Sequence, residues 1–160
     1  VDKDFWQPLL TDLNMPIHYL GIIFSIVSAV SMIIPFTARY LEKYKVKNVF
    51  IIIIILRILL FGVILLLYPG LFIVGAGIFI FSEGLLSLRF PLLEPYYHKH
   101  LPKNIRATIA SVKSMGIQLG LGIGLLCFGY LTDIIGVQNT IPLTGIFGLV
   151  AIYFFSKIKD

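Results

Sequence analysis

Five long apolar stretches govern what this chain can fold into. They cover residues 17–40, 49–68, about 71–96, about 108–131 and 141–155. A bilayer core about 30 Å thick takes roughly 20 mostly apolar residues per helix, so each stretch reads as a membrane-spanning helix. The fifth is short and calls for local thinning of the bilayer or for flanking residues that reach the interface. Composition removes the alternatives. Of the 160 residues, 58% are hydrophobic and 13% charged, against about 25% charged in an ordinary soluble domain. A globule of this size leaves too much surface exposed to hide that apolar content, and a disordered chain would be polar and charged. The single Cys127 leaves no disulfide framework and no multi-cysteine metal site. The expected fold class is an all-α integral membrane protein with five transmembrane helices.

The breaks between the stretches fit that reading. Tyr68-Pro69-Gly70 is a turn with almost no polar length, so the second and third spans form a tight hairpin. Asp133-Ile134-Ile135-Gly136 with Gln138 and Asn139 separates the fourth from the fifth. The longer polar segments, 38–48 and 97–107, are the expected cytoplasmic loops. The side assignment comes from charge. Arg39, Lys43, Lys45, Lys47, Arg89, Lys99, Lys103, Arg106, Lys113, Lys157 and Lys159 all fall on one side, eleven of the thirteen lysines and arginines. Lys3 stands alone on the other, and Arg57 lies within a span. Cytoplasmic loops carry the Lys/Arg excess, which places the long loops and the C-terminus in the cytoplasm of a multi-pass cell-membrane protein.

Five crossings with that orientation leave Val1 outside, yet no signal sequence precedes it. Residues 1–16 therefore read as the outer end of a preceding helix and an extracellular loop. Trp6 would sit at the interface, where aromatic residues collect. The alternative is an exported N-terminal tail. Residues 17–160 form the five-helix bundle, and the chain is expected to be a piece of something longer.

Between helices in lipid, small residues allow close approach. Gly116, Gly120 and Gly124 recur at spacing four in the fourth span, and Gly21, Ser25 and Ala29 do so in the first. Both faces are expected to meet neighbours closely, whereas the run from Ile51 to Ile55 suits a peripheral helix touching lipid. Pro35 and Pro91 lie near cytoplasmic ends of spans, as helix ends or as bends that gate.

Charges at membrane depth are expensive and each needs a reason. Arg57 is ten residues past Lys47, about 15 Å of helix rise, and Glu83 is thirteen past Gly70, about 20 Å. The hairpin brings them to similar depths. One reading is a buried ion pair of Arg57 with Glu83. The other is a carboxyl lining a water-filled cavity, where Glu83 exchanges a proton or touches substrate. Burial and a neighbouring cation pull a carboxyl's protonation in opposite directions, so engagement of Arg57 would switch Glu83. Arg57, in the most lipid-like helix, reads as structural. Ser114 and Gln118, four apart, make a polar stripe, and Ser82 beside Glu83 extends it. Lys113 and Arg89 read as residues that snorkel to the headgroups. His98 and His100 are two apart and share no helix face, so no metal site is expected, and His18 reads as solvated. No glycine-rich phosphate loop, nucleophile elbow or H-E-x-x-H is present. No enzyme activity, cofactor or nucleic-acid partner is expected.

Arg106-Ala107-Thr108, with Ser111 three later, opens a glycine-rich span that closes on Gly129-Tyr130-Leu131-Thr132-Asp133-Ile134-Ile135-Gly136. This resembles the C-terminal half of the major facilitator superfamily. There an R-A-T-x-x-S segment begins the eleventh helix and a G-x-x-x-D-x-x-G pattern closes it. Pro91, Pro95-Tyr96-Tyr97 and Leu101-Pro102 look like that family's approach to the same loop. Residues 39–47 look like a degenerate copy of its loop between helices eight and nine, lacking the signature Gly and Asp. The resemblance implies a partial C-terminal six-helix bundle of a 12-helix fold, with helices eight to twelve present. It also implies that helices eight, ten and eleven face the cavity while nine and twelve are peripheral. That would put Glu83, Ser82, Ser114 and Gln118 on the substrate or proton pathway.

The function expected is that of a proton- or ion-coupled secondary transporter for small organic solutes, a permease or efflux carrier working by alternating access. Its partners would be lipids, a small-molecule substrate and the missing N-terminal helices. The rival is a non-transporting scaffold that uses its glycine faces to bind partner helices. Six or seven further spans upstream would favour the carrier, and a start codon just before Val1 the scaffold. A membrane-embedded enzyme would need paired acids or a metal cluster at the cytoplasmic face, where Glu94 is one acid available.

Overall fold

The structure is a computed structural model that describes residues 2–41, 43–100 and 105–157, with side chains at all of these except 2, 3 and 96–100. Val1, Leu101, Pro102, Lys103 and Lys159 lie outside the described residues, as do the side chains of Lys3, Tyr96, Tyr97, His98, Lys99 and His100. The elements in order are α1 (Asp2–Asp12), α2 (His18–Ile33), a 3₁₀ turn (Ile34–Thr37), α3 (Ala38–Leu41), α4 (Val46–Ile64), α5 (Phe72–Ser87), α6 (Arg89–His100), α7 (Arg106–Ile135) and α8 (Val137–Ser156). Among the described residues all regular structure is helical, as lipid demands of a chain that must satisfy its own backbone. Among the described residues five spans are long and apolar enough to cross a bilayer: His18–Leu41, Val46–Ile64, Phe72–Pro95, Arg106–Ile135 and Val137–Ser156.

Helical geometry continues past both prolines near the Lys/Arg-rich end. Pro35 opens the 3₁₀ turn that joins α2 to α3. Pro91 sits in the first turn of α6, just after the break at Leu88. A proline there cannot donate to the carbonyl four residues back, which loosens the α5–α6 joint. At the other end, α8 starts at Val137, immediately after Gly136, so it is 20 residues long. The polar run Gln138-Asn139-Thr140 looks like a loop but forms the first turn of the helix. Asn139 donates to the Ile135 carbonyl and Thr140 to that of Gly136, both at 2.8 Å. Gly136 makes the one-residue joint possible with φ 81°, a conformation that costs other residues a steric clash.

Helix α1 carries Phe5, Trp6, Leu9 and Leu10 on one stripe that Leu13 continues just past its end, and all five are buried. Trp6 is fully buried, stacked on Phe79 at 4.8 Å and edge-on to Phe61 at 6.4 Å. It is a core residue and not the interfacial anchor expected of it, because an apolar stripe at helical spacing packs inward. The Gly70 amide donates to the Leu13 carbonyl at 3.0 Å and fastens the end of α1 to the α4–α5 turn.

Close packing occurs at glycines other than the expected ones. A methyl added at Gly84 on α5 would stand 2.5 Å from Ile34 Cδ1 and 2.9 Å from Val30 Cγ1, so α2 rests on the backbone there. A methyl at Gly148 on α8 would stand 3.0 Å from Ile54 Cγ2 and 3.1 Å from Ile58 Cδ1 of α4. By contrast, a methyl at Gly116, Gly120 or Gly21 meets nothing within 4 Å. At Gly116, Gly120 and Gly21 the expected tight seams are therefore not made within this chain, and Ser25 and Ala29 are exposed. The reason is placement: α7 leans mainly on α8, and Gly120 and Gly124 border a cleft.

Candidate functional site

The two charges at membrane depth come together between α4 and α5. Arg57 lies seven residues before the end of α4, about 10 Å of rise. Glu83 lies eleven residues after the start of α5, about 16 Å from the same turn. The arginine side chain spans the difference. Its Nε donates to Ser82 Oγ at 3.0 Å, and its Nη2 is 4.0 Å from Glu83 Oε1. The guanidinium also stands 5.3 Å from the Phe61 ring centre, within cation–π range.

Helix α5 builds this cluster because its inward stripe turns polar halfway along. Gly75, Ala76 and Phe79 pack near the turn end, and then Ser82 and Glu83, both buried, occupy the next turn of that stripe. Gly84 follows and lets α2 close over the segment. Two opposite charges at 4 Å attract by about 4 kcal/mol at an effective dielectric of 20. Desolvation offsets much of that, so the pair adds little net stability, while removing one member strands the other. Chemically the cluster can hold or release a proton on Glu83 and offer hydrogen bonds from Arg57 and Ser82.

Arg57 also borders a cleft of about 350 Å³ between α4, α7 and α8, with Phe61, Gly120, Gly124, Phe128 and Thr144 among its walls. Ser114 and Gln118 are exposed on α7 and do not join Ser82 and Glu83 in this chain. Of the motif residues, Arg106 opens α7 half-buried, while Ala107, Thr108, Ser111 and Asp133 are exposed. Gly129 faces open space, and Gly136 is the joint to α8.

Two contacts lay outside the sequence reading. Lys113 does not simply extend toward headgroups: its Nζ is 2.7 Å from Glu94 Oε1 on α6. Gln138 Nε2 donates to the Ile64 carbonyl at 2.9 Å and the Leu67 carbonyl at 2.5 Å, satisfying acceptors that a helix end leaves open. The signal for Gln138 was a polar amide beside a glycine joint. The signal for Glu94 was an acid in a strongly basic stretch.

A sequence profile of the Major Facilitator Superfamily matches residues 5–159. The chain is 23% identical over 159 residues to an uncharacterized MFS-type transporter, YxaM, of Bacillus subtilis (strain 168). That alignment covers 98% of this chain and 40% of the relative, so the chain spans about two fifths of that protein's length. No solved structure matches it significantly.

Proposed function

The chain belongs to the major facilitator superfamily, and from that premise we propose that it forms the C-terminal part of a secondary transporter for small organic solutes. Transport proceeds by alternating access, with the Lys/Arg-rich end and the C-terminus in the cytoplasm of a cell-membrane protein. The observation that supports this reading best is the Arg57–Ser82–Glu83 cluster, a carboxyl and its cation buried midway through the bundle. An ionisable group at that depth belongs to a solute or proton pathway by default. Coupling is to protons: protonation of Glu83 releases its hold on Arg57, and deprotonation restores it. Helices outside these 160 residues supply the other half of the solute path, and Ser114 and Gln118 face it from α7. The scaffold reading would use the same exposed α7 surface, but family membership favours the carrier.

The test is proteoliposomes of the full-length protein loaded with the pH-sensitive dye pyranine. They are challenged with a panel of sugars, amino acids, carboxylates and lipophilic cations. The parent is expected to move protons with one class of solute, and Glu83→Gln to lose the pH dependence of that flux. A Glu83→Gln protein that transports with an unchanged pH profile rejects the coupling role. A parent that moves none of the panel and no protons counts against the carrier.

A further inference from the structure

We propose that the Glu94–Lys113 ion pair is a positioning contact that holds the Lys/Arg-rich half of α7 against α6, and that its opening lets that half of α7 swing. The inference rests on the transporter reading for its purpose, but its geometry stands apart from it.

Helix α7 is a lever. Its 30 residues span about 45 Å. One end meets α8 at Gly136, the one-residue joint with positive φ. Among its described residues Phe128 is the buried one, about 12 Å from that joint and in ring contact with Phe147 of α8 at 5.7 Å. Beyond it the helix leaves its apolar side chains largely uncovered within these residues. Val112, Met115, Ile117, Leu119 and Ile123 are exposed, and a methyl at Gly116 or Gly120 would touch nothing. Lys113 lies 23 residues from Gly136, about 35 Å along the lever. A rotation of about 10° at the joint moves Lys113 by roughly 6 Å, enough to break a 2.7 Å contact.

Helix α6 is the fixed side. Leu88 at its start and Leu92 one turn in are buried in a cluster with Ala38, Val49 and Phe50. Glu94 lies beyond that anchor and reaches Lys113. The two side chains are 45% and 36% exposed, so the pair is not locked in a core. An exposed ion pair biases an equilibrium by a few-fold, strongly enough to favour one position and weakly enough to open thermally. A contact placed far from the pivot of a long helix is where so small a bias has leverage.

The test measures the distance between α6 and α7 in the full-length protein by pulsed electron–electron resonance. Spin labels are placed at Phe90→Cys and Met115→Cys in a Cys127→Ser background. The parent should give a narrow distribution. Glu94→Gln and Lys113→Gln should each raise the long-distance population at least three-fold, and the exchange Glu94→Lys with Lys113→Glu should restore the parent distribution. If one neutral variant fails to fold, the other carries the same prediction. Distributions unchanged in the neutral variants overturn the proposal. So does broadening that the exchange fails to reverse, since the two residues would then act separately. No solute is needed, so these outcomes leave the transporter reading standing, and a failed proteoliposome assay leaves the ion pair standing.

Discussion

Helices α5 and α7 are alike in hydropathy and opposite in environment. The apolar windows of their spans have mean hydropathies of 1.6 and 1.5, yet half of the α5 window is buried and 6% of the α7 window. Both carry glycines and both carry polar residues. In α5 these meet other helices: Gly75 faces Leu13, Gly84 faces Ile34 and Val30, and Ser82 and Glu83 face Arg57. In α7 Gly116 and Gly120 meet nothing and Ser114 and Gln118 are exposed, while Lys113 pairs with Glu94. Hydropathy therefore tells that a helix can cross the membrane, and not what it packs against. In lipid the neighbour is chosen by small residues and polar partners, and Gly75, Gly84, Ser82 and Glu83 of α5 find theirs within this chain.

The largest effects should come from breaking the α5 side. Arg57→Leu leaves Glu83 buried without its cation, and such a loss costs about 3–5 kcal/mol. Trp6→Ala empties a site between Phe61 and Phe79 and should cost a similar 3–5 kcal/mol. Thermal unfolding in detergent reads both. The α5 environment is central if each variant unfolds well before the parent, and the contrast with α7 collapses if neither does. Gly84→Leu comes next, because its side chain must displace Ile34 and Val30. Overpacking of this kind costs about 1–3 kcal/mol, and the same assay should show it.

The difference between the two helices also explains what was legible in the sequence. The five spans were legible because a 30 Å apolar layer imposes a length that hydropathy records. The Tyr68-Pro69-Gly70 turn set Arg57 and Glu83 at similar depths by counting alone, and they lie 4.0 Å apart. Spacing within one helix could not show which glycines have neighbours. Gly116, Gly120 and Gly124 form the cleaner stripe, but the seams are at Gly84 and Gly148, where a bulky residue of another helix happens to face them. Trp6 was misplaced because a short segment at the chain's start reads as a rim until the stripe it shares with Leu9, Leu10 and Leu13 is seen to be covered. The Glu94–Lys113 contact joins residues of two different helices, α6 and α7, which no local period encodes.

Gln138 gives an intermediate effect. Its amide reaches from α8 to the carbonyls of Ile64 and Leu67 at the end of α4. Gln138→Leu keeps the bulk and removes both bonds, leaving partly buried acceptors unmet at about 1–3 kcal/mol. Hydrogen exchange at the α4–α5 turn should quicken in this variant while the turn where α6 begins stays unchanged. Uniform quickening would mean that the bond supports the whole bundle and not its local corner.

The smallest effect discriminates best. Gly120→Ala adds one methyl to α7 at a place where nothing lies within 4 Å. If the surface of α7 stays open, the substitution should stabilise slightly, by up to about 1 kcal/mol, because alanine loses less backbone freedom than glycine on entering a helix. If helices from outside these residues pack along Gly116 and Gly120 in the full-length protein, the added methyl should destabilise it instead. The sign of one measurement, the shift in unfolding temperature of the full-length protein, then tells whether α7 is a lipid-facing helix or one whose neighbours lie in the rest of the molecule. Repeating it with Gly84→Ala supplies the reference, since there the methyl would stand 2.5 Å from Ile34 in this chain alone.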